Sequence, residues 1–448
     1  VKGLLDFDRF AVWGLGVSGV AAANRLAELG KQVLASDSRQ EGEWLDALGL
    51  HPDVRVELGA NALGGAQVVI PSPGLKPSLP VFKALPDGIP IVSEIDLAYQ
   101  LSGCDFVAVT GTDGKTTTTA LTAHILSCAG FKTMAAGNIG IPLSEAITEF
   151  GEGDVIVAEI SEFQLWSSHS FRAKAFAYTN IAEDHLDYFA DMAEIEAAEH
   201  RLIQNAGPED ILISNMEDSV LNRWAQNYSG PTRNYGFTVR GVANLWSDGS
   251  WVYEDDERVL ELSKTLLQGR HNALNMMAAA QIARGLGLDW DQIAPPIAEF
   301  KPLSHRLELC AERQGVKFYD DSKATNAHAA IAGIKSLARP VVVISGGVEK
   351  GLPLESFAET LKEFAVGVFV IGDIRPRMTA ALRAAGVASV QESQSLEEAV
   401  VSAYELALSH GADVVLSPAC SSFDMFKSYA HRGEVFQETA RLLETPGR

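Results

Sequence analysis

Cysteine is scarce: four in 448 residues, with Cys104, Cys128, Cys310 and Cys420 far apart and none in a C-x-x-C pair. That spacing gives little support to a zinc cluster or a dithiol redox motif and fits a reducing compartment. Positive charge is also short. Lys and Arg number 36 against 58 Asp and Glu, a formal net charge of −22. Such a chain has no general attraction for nucleic acid or an anionic membrane, and neither is expected as a partner. Any phosphate must be held by local basic groups and backbone amides. No apolar run reaches the roughly 18 residues of a membrane span. The N-terminal VKGLLDFDRF lacks the basic-then-apolar layout of a signal peptide, so a cytoplasmic location is expected.

What the chain does contain is a recurring unit: a short apolar strand, a polar or Gly-rich loop, then a helical segment. That alternation predicts an α/β protein with mainly parallel sheets. Three blocks emerge, at 1–95, 96–300 and 301–448. A Pro/Gly-rich stretch from Ser72 to Pro90 ends near the first boundary, and Pro295, Pro296 and Pro302 suit a connection at the second.

The first block reads "AVWGLGVSGVAAANRLAELG". Gly14, Gly16 and Gly19 form G-x-G-x-x-G directly after a strand and at the head of a helix, and Asp37 ends the next strand. Glycines there let the backbone approach a diphosphate, the helix N-terminus supplies free N–H groups, and Asp37 suits ribose hydroxyls. Alone, this fits NAD, a UDP-linked ligand, or simply a tight turn with close helix packing.

The second block opens with the strand DFVAVT and the loop "VTGTDGKT" (109–116). The loop departs from G-x-x-x-x-G-K-[ST], because Val109 stands where the early glycine belongs. Even so, Thr117–Ala129 has helical periodicity, which puts Lys115 and Thr116 at a helix N-terminus. There Lys115 would reach phosphate and Thr116 would reach Mg²⁺. Glu159 ends a later apolar strand, and Asp184 and His185 follow another. In an open parallel sheet, ligands gather at these carboxyl ends.

The sequence resembles the Mur ligases, ATP-dependent amide-forming enzymes of peptidoglycan synthesis. GTDGKTT looks like their compact loop. GNIG (137–140), EISEFQL (159–165), TNIAEDHLD (179–187), GRHNALN (269–275), LSHRLE (303–308), DDSKATN (320–326), a GG pair followed by Lys350, and LSPACSSFDMFKSYAHRGEVF (416–436) follow in the family's order. The likeness covers nearly the whole chain. It implies a Rossmann-like N-terminal domain that binds a UDP substrate, a central P-loop ATPase domain, and a Rossmann-like C-terminal domain that binds the amino acid. DSKATN and SPACSSFDMFKSYAHRG point to the member that adds D-glutamate to UDP-N-acetylmuramoyl-L-alanine through an acyl phosphate, acting on small molecules and expected as a monomer. The alternative is another Mur or folylpolyglutamate-type ligase with a different acceptor or amino acid. The folate enzymes lack the G-x-G-x-x-G domain. A relative that only binds nucleotide is the other alternative.

The resemblance also implies roles. Gly111, Thr112, Asp113, Gly114, Lys115, Thr116 and Thr117 hold ATP phosphates, with Asn272, Asn275, Arg306 and Asp321 as further nucleotide contacts. Thr116 and Glu159 match one Mg²⁺ site; Glu159 and His185 match a second. Asn138 lies near the transferred phosphoryl group and Lys323 near the reacting groups. Val17, Ser18, Asp37, Ser38, Arg39 and Gly74 match uridine and diphosphate contacts. Thr325, Lys350, Ser422 and Tyr429 fall where relatives hold D-glutamate.

One departure matters. Relatives carry a lysine, carbamylated by CO₂, that helps hold the second Mg²⁺; here Glu199 occupies its place. Either Glu199 supplies the carboxylate directly, or it is a solvated helix residue. Asp113 and Glu162 also add negative charge near expected phosphates, and the sequence offers no reason for either.

Overall fold

The computed structural model describes residues 3–40, 42, 44–186, 188–237, 240–337, 340–348 and 354–443. Lys350 lies outside them. Short apolar runs bounded by glycine or acidic turns become strands, and these assemble into three sheets. In the first, β1 (Arg9–Trp13), β2 (Gln32–Asp37), β3 (Arg55–Leu58) and β4 (Val68–Pro71) lie in the order β3-β2-β1-β4, all parallel. Helix Val17–Glu28 follows β1. A Cβ on Gly19 would lie 2.0 Å from the Gly14 carbonyl oxygen. The last glycine of the fingerprint is therefore what lets this helix close onto the turn before it.

The second sheet contains β5 (Asp105–Thr110), β6 (Thr133–Gly137), β7 (Val155–Glu159), β8 (Ala175–Tyr178), β9 (Ile211–Asn215), β10 (Thr232–Phe237), β11 (Leu245–Ser247), β12 (Trp251–Glu254) and β13 (Glu257–Glu261). Their order is β13-β12-β11-β10-β9-β8-β5-β7-β6. Pairing is parallel from β6 to β11, and β11 to β13 form antiparallel hairpins at the far edge. β5 lies between β7 and β8, so the chain winds outward from it on both sides. That is the switch point at which open α/β sheets form a crevice at their carboxyl ends. Register brings the segments after these strands together: Val109 pairs with Glu159 and Thr110 with Tyr178.

The third sheet has β14 (Glu308–Arg313), β15 (Val316–Asp320), β16 (Val341–Gly346), β17 (Ala365–Ile371), β18 (Val390–Glu392) and β19 (Asp413–Leu416), in the order β14-β15-β19-β16-β17-β18. Its pairs are parallel except β14 with β15. Apolar side chains of strands and flanking helices form separate cores on its two faces.

By contacts the chain forms two compact units, 1–265 with 274–300, and 266–273 with 301–448. It passes between them inside helix Arg270–Gly285. The α/β class with mainly parallel sheets agrees with the sequence. The prolines do not: Pro295 and Pro296 sit inside helix Trp290–Glu299, which a capping box of Asp289 and Gln292 starts. Each removes a backbone donor. The buried side chains of Ile293, Pro296 and Ile297 offset that cost by anchoring the helix to the core.

Candidate active site

The loop after β5 has no room for side chains at its two glycines. Gly111 has φ +117° and Gly114 has φ +85°. A Cβ on Gly111 would lie 2.5 Å from Thr179 Oγ1, and one on Gly114 would lie 2.3 Å from Asn275 Oδ1. Val109 is fully buried in the incoming strand, so the shorter loop starts at Gly111. Asn180 pins it. Its carbonyl accepts from Thr112 N at 2.9 Å, its Oδ1 accepts from Asp113 N at 3.1 Å, and its Nδ2 donates to the Asp113 carbonyl at 2.9 Å. Helix Lys115–Cys128 follows, with Gly114 at its N-cap and Thr117, Thr118 and Thr119 buried. Thr116 stands in its first turn.

Lys115 Nζ donates to the carbonyls of Gly111 (2.5 Å) and Thr112 (2.9 Å). Burial opposes its charge, but Glu162, Glu199, Glu159 and Asp113 together outweigh burial and raise its pKa. Glu159 ends β7. Its Oε1 accepts from Asn138 Nδ2 at 2.9 Å, while its Oε2 is buried with no hydrogen-bond partner.

Glu199 is not a solvated helix residue: it is 2% exposed. Its Oε2 accepts from Thr110 Oγ1 at 2.8 Å, and its backbone carbonyl accepts from Tyr178 OH at 2.6 Å. Burial first, then Glu162, push its pKa to about 8 against the pull of Lys115 and Thr110. The Glu162 side chain is 7% exposed, and its Oε1 lies 3.6 Å from His185 Nε2. His185, at φ +55°, lies 3.4 Å from Asp184 Oδ2.

Lys115 is thus ringed by Glu159, Glu162 and Glu199, with His185 beside Glu162. Three acidic side chains surround one ammonium, and the unpartnered buried Oε2 of Glu159 is an oxygen that a divalent cation could take. The imidazole is a less usual ligand for Mg²⁺.

A pH consequence follows from Glu199. Its folded pKa, about 8, lies above the ordinary 4.5. The folded protein therefore holds a proton that the unfolded chain has lost, and stability contributed below 4.5 is lost as pH rises through about 8. Glu199→Gln should flatten that fall and unfold at a higher temperature than the parent at the alkaline end. Thermal midpoints measured across this window without ligands, with equal slopes for both proteins, would contradict it.

In the first sheet, Val17 and Ser18 open the helix after Gly16. Asp37 ends β2, and both its oxygens accept hydrogen bonds within the protein. Oδ1 accepts from Arg39 N and Nε, each at 2.9 Å; Oδ2 accepts from Leu15 N and Arg39 Nη2, each at 2.8 Å. The Arg39 side chain first, aided by these backbone amides, holds the Asp37 pKa down to about 2. Arg39 also lies 3.7 Å above the Trp44 ring. Asp37 fixes the Leu15 turn and aims Arg39, with Ser38 between them. Gly74 lies in the loop after β4, where Leu75 N donates to the Ser72 carbonyl at 3.0 Å.

In the second unit, Asp321 Oδ1 accepts from Leu307 N at 3.2 Å and Oδ2 accepts from Ser417 Oγ at 3.0 Å. Burial pushes its pKa to about 7. Arg306 stands between two left-handed residues, His305 (φ +63°) and Leu307 (φ +49°). Lys323 Nζ lies 3.9 Å above the Tyr429 ring, and Thr325 N donates to the Lys323 carbonyl at 2.9 Å. Ser422 is buried, and its carbonyl caps the turn at Met425 and Phe426. Asn272 belongs to this unit and Asn275 to the other. His305, Glu308 and Asp320 bring metal-type ligand atoms within 4.8 Å of one another. They already satisfy each other, with His305 Nδ1 2.7 Å from Asp320 Oδ2, and Gln437 Nε2 donates to both carboxylates. That cluster is a brace around Arg306.

Three family models match in order along the chain: the Mur ligase MurD-like N-terminal domain (8–93), the Mur ligase middle domain (109–283) and the Mur ligase glutamate ligase domain (305–420). The UDP-N-acetylmuramoylalanine–D-glutamate ligase of Caldanaerobacter subterraneus subsp. tengcongensis is 36% identical over 445 residues, covering 97% of this chain and 98% of its own length. The chain belongs to the Mur ligase family. The enzyme of the same name from Pelotomaculum thermopropionicum is 36% identical to this Mur ligase and covers 98% of it. Among solved structures, UDP-N-acetylmuramate-alanine ligase MurC from Thermotoga maritima matches with TM-score 0.61 at 19% identity, over 97% of this chain and 99% of that one. A pseudomurein peptide ligase type C from Methanothermus fervidus gives 0.58 at 18%, over 91% and 96%. At such identities the structures speak for the fold.

Four residues of this Mur ligase that shape the site went unnoticed in the sequence: Thr110, Asn180, Tyr188 and Arg432. Asn180 lies within the TNIAEDHLD run and Tyr188 directly after it, while Arg432 lies within the LSPACSSFDMFKSYAHRGEVF run. None of them carries a spacing signal that marks its partner.

Proposed function

We propose that this chain is an ATP-dependent ligase that joins D-glutamate to UDP-N-acetylmuramoyl-L-alanine. In this reading the acceptor carboxylate takes the γ-phosphoryl group of ATP, the amine of D-glutamate attacks the acyl phosphate, and phosphate leaves. The observation that carries it is Lys115, a half-buried cation at a helix N-terminus beside Glu159, in a chain 36% identical over 97% of its length to ligases of that name. Phosphoryl transfer needs positioning and charge neutralisation rather than covalent help from the protein. The pinned loop of Gly111, Thr112, Asp113 and Gly114 aims its amides at phosphate, and Lys115 leaves the loop carbonyls to meet it. Asn138, held by Glu159, orients the acceptor's reacting end.

Bound Mg²⁺ would neutralise the phosphoryl oxygens. Thr116 and Glu159 would hold one ion; Glu159, His185 and Glu199 would hold a second. Asn272, Asn275, Arg306 and Asp321 would contact the nucleotide, and Val17, Ser18, Asp37, Ser38, Arg39 and Gly74 the UDP moiety. Lys323, Thr325, Lys350, Ser422 and Tyr429 would receive D-glutamate. A cation and hydroxyls suit its two carboxylates. No helix among the described residues is long and apolar enough to cross a membrane. A cytoplasmic monomer is part of the proposal.

Phosphate release from ATP, measured with a panel of UDP-muramyl acceptors and amino acids, tests it. Release should require UDP-N-acetylmuramoyl-L-alanine and D-glutamate together. Equal turnover with L-alanine, L-glutamate or a folate acceptor would overturn it.

A further inference from the structure

The Tyr188 hydroxyl lies 2.8 Å from the Pro73 carbonyl and 2.6 Å from the Leu75 carbonyl. Those carbonyls flank Gly74, in the loop that leaves β4. The other end of Tyr188 is tied to His185: the amides of Tyr188 and Phe189 both donate to the His185 carbonyl, at 2.8 and 3.0 Å. His185 stands at φ +55°, in the left-handed region that few non-glycine residues adopt. The Phe163 ring completes the strap, edge-on to His185 at 4.7 Å and to Tyr188 at 4.5 Å. Phe163 follows Glu162 directly, so the residues that set the His185 ring also carry the carboxylate beside it. A second aromatic contact runs in parallel, from Trp13 through Phe82 to Trp166 at 5.5 and 5.2 Å. Burial raises the Tyr188 pKa, so its hydroxyl stays protonated and donates.

We propose that Tyr188 is a positioning residue: it locks the Gly74 loop to the His185 turn, so that the UDP end of the acceptor and the groups around its carboxylate are set in one register. The inference rests on the acceptor reading above. Its physical content is that one hydroxyl restrains two parts of the site more than a hundred residues apart in sequence. With both parts restrained beforehand, the bound acceptor arrives oriented, and less of its binding free energy is spent on ordering the loop.

Tyr188→Phe removes the hydroxyl and keeps the ring on Phe163, so the fold is retained. Calorimetric titration with UDP-N-acetylmuramoyl-L-alanine, without ATP, should give a Kd about 3- to 10-fold weaker than the parent, the range expected for one hydrogen bond. The KM values for ATP and D-glutamate should stay as they are. A cycle with His185→Ala gives the readout that a merely structural role would not move. The fall in kcat caused by Tyr188→Phe should vanish when His185 is already alanine, because coupled residues are not additive. Unchanged acceptor affinity, or the same fall in kcat in both backgrounds, overturns the inference. A parent protein that does not bind the acceptor at all overturns the acceptor reading instead, and this inference with it.

Discussion

Lys115→Met should lower kcat for phosphate release by about a thousandfold, in the range seen when one preorganised charge or donor is taken from a transferring phosphoryl group. The ammonium is the positive charge among Glu159, Glu162 and Glu199 at the head of the helix. Without it the incoming nucleotide meets the acidic side chains of Glu159, Glu162 and Glu199 with no counter-charge, so nucleotide affinity should fall along with kcat. Lys115→Arg should not rescue. The planar guanidinium cannot occupy a point between the Gly111 and Thr112 carbonyls, where Nζ sits at 2.5 and 2.9 Å. The same substitution bears on folding. Removing the cation leaves buried carboxylates uncompensated, so Lys115→Met should unfold at lower temperature at neutral pH than in mild acid, where the carboxylates are protonated. Turnover within tenfold of the parent would show that phosphate is neutralised elsewhere.

Arg432→Met should be the most destabilising single change in the second unit. Arg432 is 0% exposed. Nε donates to Ser322 Oγ at 2.9 Å, Nη2 to the Ser322 carbonyl at 2.8 Å, and Nη1 to the carbonyls of Cys420 (3.1 Å) and Gly346 (3.4 Å). These acceptors are neutral, so the charge is held by dipoles, and burial pulls its pKa down to about 10. One guanidinium thus ties together the loop with Lys323 and Thr325, the loop with Ser422 and the end of β16. Methionine fills much of the volume but leaves buried acceptors without donors, at about 1–3 kcal/mol each. A loss of at least about 3 kcal/mol is expected, read as a fall of roughly 6 to 12 °C in the thermal midpoint. Arg432→Lys keeps the charge but cannot reach all three segments, and should lie between. Because the loops carry the residues proposed for D-glutamate, its KM should rise in both variants while the KM for ATP moves less. A midpoint within 2 °C of the parent would mean that the loops are held without Arg432.

The two sites differ in how legible they were. The phosphate loop could be read because its signal is local. A buried strand, two glycines and a Lys-Thr pair at a helix start lie within eight residues, and the structure places Lys115 at the first helical position. The parallel sheets were legible for the same reason, from apolar runs and turn residues. Glu199 was not. Its helix, MAEIEAAE, has no clear apolar stripe, and its burial is decided by Thr110 and Tyr178, both far away in sequence. Asp37 could be placed at the end of its strand from the apolar run before it, but its pairing with Arg39 could not, because it depends on the rotamer of a side chain two residues on. Pro295 and Pro296 misled because local propensity reads them as breakers, whereas packing carries the helix through them. Asp113 adds to the negative field that keeps Lys115 charged, and Glu162 gains a neighbour in His185.

The central claim is an acyl phosphate formed on the acceptor carboxylate, and one measurement tests it most directly. UDP-N-acetylmuramoyl-L-alanine labelled with heavy oxygen in its terminal carboxylate, turned over with ATP and D-glutamate, should deliver one labelled oxygen to each inorganic phosphate released. Product formed with unlabelled phosphate would contradict the account, because the amide would then have been made without activating that carboxylate.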